Sequence, residues 1–325
     1  MLNTDLAMGL VRVTEAAALE AAKFMGRGDK IAADQAAVDG MEKAFSMMPI
    51  RGTVVIGEGE LDEAPMLYIG QKVGIWDDNM PEMDIAVDPL DGTVLIAKGL
   101  SNAIAVVAMG TKGSLLHAPD MYMKKIAVGP GAKGAIDINK SARENIINVA
   151  KALNKDINEL TVIVQDRERH DHIVNEAREV GARVRFFGEG DVAAALACGF
   201  EETGVDLLMG IGGAPEGVIA AAAIKCMGGE MQAQLLPRSE EERKRCDSMG
   251  IPDPDKIFTI DDLVKSDDVY FAASAITDCD LLKGVVFSKA DHATTNSIVM
   301  RAKTGTVRFV EARHNFSKSE LFLNK

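Results

Sequence analysis

Asp88-Pro89-Leu90-Asp91-Gly92-Thr93 sets two carboxylates three residues apart at the end of an apolar run, Ile85-Ala86-Val87, with a glycine and a hydroxyl directly after them. Strand tips that turn into acidic and glycine residues are where α/β proteins seat ligands. Two close carboxylates repel unless a cation or a proton lies between them. The backbone N–H groups that follow, and the Thr93 hydroxyl, can then meet a phosphate bridged by that cation. This is metal-assisted phosphate chemistry. The plainer alternative is turn chemistry, in which Pro89 presets φ and Asp-Gly closes the turn.

Further carboxylates lie beside glycines. Gly26-Arg27-Gly28-Asp29-Lys30 leads into a helix carrying Asp34 among Ile31, Ala32, Ala33 and Ala36. A carboxylate in so apolar a setting needs a partner; an ordinary exposed helical aspartate is the alternative. Gly57-Glu58-Gly59-Glu60 ends an apolar strand, where glycines permit close backbone approach to a ligand. Gly210-Ile211-Gly212-Gly213-Ala214-Pro215-Glu216-Gly217 follows another strand and opens a helix. There Glu216 either complements the helix dipole or binds a cation while the amides cradle a phosphate. Oxygen-only ligands select hard cations, Mg²⁺ or Mn²⁺ rather than zinc. The basic counterpart is Arg167-Glu168-Arg169-His170: two arginines that can grip a phosphate bidentately, or a solvated loop. His170 and His172 read as the start of a surface helix rather than a metal pair. Gly129-Pro130-Gly131-Ala132-Lys133-Gly134 matches the dinucleotide fingerprint formally, but Pro130 lies inside the turn and no helix opens after it, so it reads as loop geometry.

The elements that must position these residues are legible as an α/β pattern. Helices are expected over residues 5–25, with Thr4 as N-cap, and from Ile31 to Met47; strands over 52–57 and 103–109. Ser141 and Glu144 form a capping box before another helix. From Leu160 onward strands (161–165, 182–187, 205–209) alternate with helices (172–180, 192–198, 215–227), which argues for layered α/β architecture. A soft boundary near 155 divides the chain into 1–155, with most of the acidic segments, and 156–325. A net charge of −13 over 325 residues disfavours nonspecific nucleic-acid binding. No apolar run reaches membrane-spanning length, and the start carries no basic-then-apolar signal segment. Four scattered cysteines without a CxxC pair suggest neither disulfides nor zinc, and point to a reducing cytoplasm.

With VTEAAALEAAKFMGRGDK, GEGELDEAPMLYIG, APDMYMKKIAVGPGAKG and GIGGAPEGV added to the DPLDGT segment, the chain resembles the class II fructose-1,6-bisphosphatases over nearly its whole length. These belong to the metal-dependent, lithium-sensitive phosphatase superfamily. The resemblance implies a layered α/β/α/β/α sugar-phosphatase sandwich. It implies metal ligands at Asp34, Glu58, Asp88, Asp91 and Glu216 for two or more Mn²⁺ or Mg²⁺ ions. Substrate contacts fall on Asp91, Gly92, Thr93, Tyr122, Arg167, Glu168, Arg169, Glu189, Gly190, Asp191 and Gly213, with Lys30 a further phosphate contact. Asp62 orients the Thr93 hydroxyl as a proton relay to water by the same analogy. Three positions depart from the family pattern: Asp91 stands where DPxEGT has glutamate, Glu189 where aspartate is common, and Glu168 interrupts the arginines.

The activity implied is hydrolysis of fructose 1,6-bisphosphate to fructose 6-phosphate and phosphate in gluconeogenesis, by a cytoplasmic homo-oligomer (dimer or tetramer) with no nucleic-acid or membrane partner. The alternatives are the same chemistry on sedoheptulose 1,7-bisphosphate or on inositol or nucleotide monophosphates, and a non-catalytic sugar-phosphate sensor.

Overall fold

The computed structural model describes residues 6–59, 66–289 and 291–318. Its α/β chain forms two compact units: residues 1–114 with 268–325, and 115–267.

The first unit begins with α1 (Leu6–Ala22), α2 (Lys30–Phe45), β1 (Arg51–Ile56), β2 (Lys72–Val73), β3 (Glu82–Asp91), α3 (Thr93–Lys98) and β4 (Ile104–Thr111). The second contains β5 (Tyr122–Val128), α4 (Ala142–Leu153), β6 (Thr161–Gln165), α5 (Asp171–Glu179), β7 (Arg183–Phe187), α6 (Asp191–Ala197), β8 (Leu207–Gly213), α7 (Ala214–Met227), β9 (Glu230–Leu235), α8 (Glu240–Ser248), β10 (Phe258–Thr259) and α9 (Ile260–Leu263). The chain then returns to the first unit with β11 (Val269–Ala275), β12 (Val286–Lys289), β13 (His292–Arg301) and β14 (Thr306–Asn315).

The first sheet runs β2-β1-β3-β4-β11-β13, with β12 and β14 also paired to β13. Here the division differs from the boundary expected near residue 155. β11 pairs with β4 over seven residues, from Val269 opposite Gly110 to Ala275 opposite Ile104, so the C-terminal strands complete the N-terminal sheet. That pairing joins residues far apart in sequence, which composition along the chain does not reveal. α1, rich in alanine and leucine, packs on this sheet and on α2. Its Leu10, Val13 and Leu19 join Phe45, Ile85, Val107 and Met109 in the core.

The second sheet has the order β10-β9-β5-β8-β6-β7. Strand alternation divides its faces. Ile126 and Val128 of β5 join Val162, Val164 and Leu207 in a core with Ile146 and Val149 of α4. Met123 and Lys125, on the opposite face of β5, lie against Gly217 of α7. The Ser141 capping box is present, with Ser141 Oγ accepting from the Glu144 N–H and Glu144 Oε2 accepting from the Ser141 N–H. The glycine-rich segment differs from a loop: β8 continues through Gly213 because its backbone pairs with β5, Tyr122 standing opposite Gly213.

Candidate active site

In the first unit, β1 and β3 run parallel, and the last pair in their register is Ile56 with Ala86. Glu58 and Asp88 each lie two residues beyond that pair, so parallel pairing brings both to the same end of the sheet. Asp88 and Asp91 would face opposite sides of a regular strand, because their spacing is odd. A bulge corrects this. Asp88 stands opposite Val106 and Asp91 opposite Ile104, so three steps on β3 match two on β4 and both carboxylates return to one face. Asp88 Oδ1 also accepts from the Leu90 N–H at 3.1 Å, closing the turn over Pro89. Asp91 is buried and Asp88 half-buried. Gly92 follows at φ 103°, a left-handed conformation that a side chain would strain, and Thr93 opens α3.

Asp34 lies on α2, which packs against β3 and α3. Burial raises its pKa, as an apolar setting without a countercharge requires. The glycine loop before α2 is pinned to α3: the Gly26 N–H donates to Ile96 O at 2.9 Å and the Gly28 N–H to Ala97 O at 3.0 Å. Lys30 is exposed in the first turn of α2. Asp62 lies outside the described residues, and so does the proton-relay reading that depends on it.

In the second unit, Glu216 occupies the first turn of α7, behind Pro215. Its Oε2 is buried and has no hydrogen-bond partner. Burial raises its pKa, and the Lys125 ammonium opposes that shift. A methyl group at Gly213 would fall on this carboxylate, and one at Gly212 would fall on Asp191 Oδ2. The glycines therefore make room for the protein's own acidic side chains. Lys125, 5% exposed, forms an ion pair with Asp191, and its Nζ donates to Gly213 O at 2.9 Å.

The basic segment forms a short turn after β6. Arg169 donates to Ile211 O (2.8 Å) and Gln165 Oε1 (2.7 Å), and its guanidinium lies 5.2 Å from the Tyr122 ring centroid. Arg238 lies over the same ring at 4.8 Å. Arg167 is exposed, its Nη1 donating to Asp166 O at 2.8 Å, and Glu168 beside it is also exposed. His170 corrects the surface-helix expectation, because it is fully buried. Its Nε2 accepts from the Ile211 N–H and its Nδ1 faces Gln165 O, each at 2.8 Å, so it is a neutral tie between β6 and β8. Burial lowers its pKa accordingly. Glu189 is half-buried, and Gly190, at φ 96°, caps α6 before Asp191.

The profile of the family described as "Bacterial fructose-1,6-bisphosphatase, glpX-encoded" matches residues 4–314. The chain is 44% identical over 335 residues to the "D-fructose 1,6-bisphosphatase class 2/sedoheptulose 1,7-bisphosphatase" of Synechococcus sp. (strain JA-2-3B'a(2-13)), covering 96% of each. It is 45% identical to the protein of the same name from Crocosphaera subtropica (strain ATCC 51142 / BH68), over 96% of this chain and 97% of that one. The chain belongs to the class II fructose-1,6-bisphosphatase family.

It is therefore a phosphatase that hydrolyses fructose 1,6-bisphosphate. Among the described residues, no three acidic, histidine or cysteine side chains stand together as a metal-binding group. The donor chemistry nonetheless fits a hard cation: Glu216 presents a buried carboxylate oxygen that no donor satisfies. Two residues at this bisphosphatase's polar clusters carry no signal in a single sequence. Lys125 lies in an apolar strand segment, and Arg238 sits outside every glycine-flanked motif; only the pairing of β5 with β8 and the position of Tyr122 bring them forward.

Proposed function

We propose that the enzyme is a divalent-cation-dependent phosphomonoesterase that removes the 1-phosphate of fructose 1,6-bisphosphate. Asp34, Glu58, Asp88, Asp91 and Glu216 are its cation ligands. The observation that carries this reading is the Glu216 oxygen, buried without a hydrogen-bond partner. A carboxylate so placed is costly unless a cation completes it. Mn²⁺ or Mg²⁺, when bound, neutralises phosphoryl oxygens and lowers the pKa of water.

The remaining work is positioning. Gly92 and Thr93 offer backbone N–H groups and a hydroxyl at the start of α3, with Asp62 orienting the hydroxyl and accepting its proton as the hydroxyl takes one from the attacking water. Tyr122, Arg167 and Arg169 hold the second phosphate. Arg169 is suited to this because Ile211 O and Gln165 Oε1 already fix its guanidinium. Glu189, Gly190, Asp191 and Gly213 contact the sugar, and Lys30 reaches a phosphate. Among the described residues no helix is long and apolar enough to cross a membrane, and every described cysteine is a free thiol. Free thiols suit a cytoplasmic enzyme, and gluconeogenesis is the setting for this reaction.

Sedoheptulose 1,7-bisphosphate is a second substrate on this reading, since the relatives carry both activities in their names. The test is phosphate release from both bisphosphates and from inositol monophosphate, with Mn²⁺, with Mg²⁺ and with chelator. Release from the bisphosphates that stops on chelation is expected. Release that chelator leaves untouched would overturn the cation role, and release only from inositol monophosphate the substrate.

A further inference from the structure

Lys125 sits on β5, an interior strand of the six-stranded sheet, opposite Gly210 on β8 and Ala233 on β9. An ammonium at such a place is expensive unless it is paired and hydrogen-bonded. Two of its donors are accounted for, one by the Asp191 carboxylate and one by Gly213 O. These acceptors are not incidental. Asp191 opens α6, and Gly213 is the residue that caps α7, whose first turn carries Glu216. One side chain thus ties together the starts of two helices bearing acidic groups.

The glycines around it fit the same account. A methyl group at Gly212 would fall on Asp191 Oδ2 and stand 3.0 Å from Lys125 Nζ, and one at Gly217 would fall on Met123 Sδ at 2.5 Å and stand 3.3 Å from Lys125 Cδ. At Gly212 the GIGGAPEG segment leaves the space that the lysine and its partner fill.

We propose that Lys125 is a positioning residue: its ammonium fixes Asp191 and the Gly213 carbonyl together, and so sets the sugar contact and the Glu216 cation ligand in one arrangement. This rests on the assignment of Asp191 and Glu216 given above. Lys125 touches neither substrate nor cation in this role. It acts through groups that do, much as outer-shell partners orient metal ligands.

The test is calorimetric binding of fructose 6-phosphate and, separately, of Mn²⁺ to the full chain, in the wild type and in Lys125→Met. Both affinities are expected to weaken by on the order of 10- to 100-fold, with steady-state KM and the half-saturating Mn²⁺ concentration rising in parallel. Lys125→Gln, uncharged but polar, carries the same expectation if the methionine variant does not fold. Unchanged dissociation constants in a folded variant would overturn the proposal. So would a variant whose unfolding midpoint falls while both affinities below it match the wild type, because the lysine would then be structural. Failure of the wild type itself to bind Mn²⁺ or fructose 6-phosphate would instead overturn the assignment on which the proposal rests.

Discussion

Glu15 of α1 and Glu216 of α7 are both helical glutamates packed toward a sheet, and burial pushes both toward the neutral form. Their surroundings differ. Glu15 Oε1 accepts from Thr295 Oγ1 at 3.0 Å, and because that hydroxyl has one proton, Thr295 Oγ1 in turn accepts from His314 Nε2 at 2.8 Å. Nearby, Thr14, Ser274 and Ser297 form a second chain of hydroxyls at 2.7 and 2.6 Å. Burial raises the Glu15 pKa to about 7, so below that pH it is a neutral member of a satisfied network. Glu216 instead keeps a buried oxygen with no partner, beside a buried ammonium that already serves Asp191 and Gly213. A satisfied buried carboxyl supports the fold. One left incomplete next to a fixed cationic group keeps an acceptor open, which is what the proposed cation role requires.

The sharpest way to break this contrast is to neutralise the second glutamate. Glu216→Gln should lower kcat/KM by on the order of 10²- to 10³-fold, the size expected when a fixed electrostatic group is lost from a transition state. The unfolding midpoint of the metal-free protein should stay level or rise, because an unpartnered buried charge is removed. Mn²⁺ should no longer raise that midpoint. Near-normal turnover together with a lowered metal-free midpoint would make Glu216 a structural residue like Glu15. Asp88→Asn tests the first unit's carboxylates in the same assay, with a loss of similar size and an unchanged fold.

Arg169→Ala comes next. Losing a charge-assisted contact of about 1.5–3 kcal/mol should raise KM for the bisphosphate about 10- to 100-fold, and far less for a monophosphate. Equal effects on both substrates would show that this guanidinium does not hold the second phosphate.

The smallest effect on function, and one confined to stability, belongs to Glu15. Its folded pKa of about 7 stands above the ordinary glutamate value of 4.5, so between those values the folded state retains a proton that the unfolded chain gives up. Stability therefore falls as pH rises through that window, by up to about 3 kcal/mol, and the loss persists above pH 7. Glu15→Gln should recover about 1–3 kcal/mol at pH 8, recover nothing near pH 4.5, and leave kcat/KM alone. Urea unfolding at the two pH values measures this; equal gains at both would mean that the Glu15 carboxylate is tolerated in the fold.

Much of this molecule was legible before folding was considered. The Asp88–Thr93 segment, the capping box at Ser141 and the strand–helix alternation after Leu160 all depend on residues near one another in sequence, where turn chemistry, capping and periodicity act directly. Arg167 and Arg169 were legible for the same reason. The bulge that returns Asp88 and Asp91 to one face was not, because it is a mismatch between two strands. His170 looked like a surface residue because its partners, Gln165 O and the Ile211 N–H, are backbone groups that carry no residue-specific signal.

By itself, then, the sequence determined the residue types able to do phosphate chemistry, the local elements that carry them, and the family to which the chain belongs. Only the tertiary structure decided that the last strands complete the first sheet, that Lys125 meets Asp191 across β5 and β8, and that one buried glutamate is satisfied while the other is not. The reason is physical. Propensity and capping act over a few residues, whereas strand pairing, burial and the satisfaction of a buried charge depend on groups that only folding brings together.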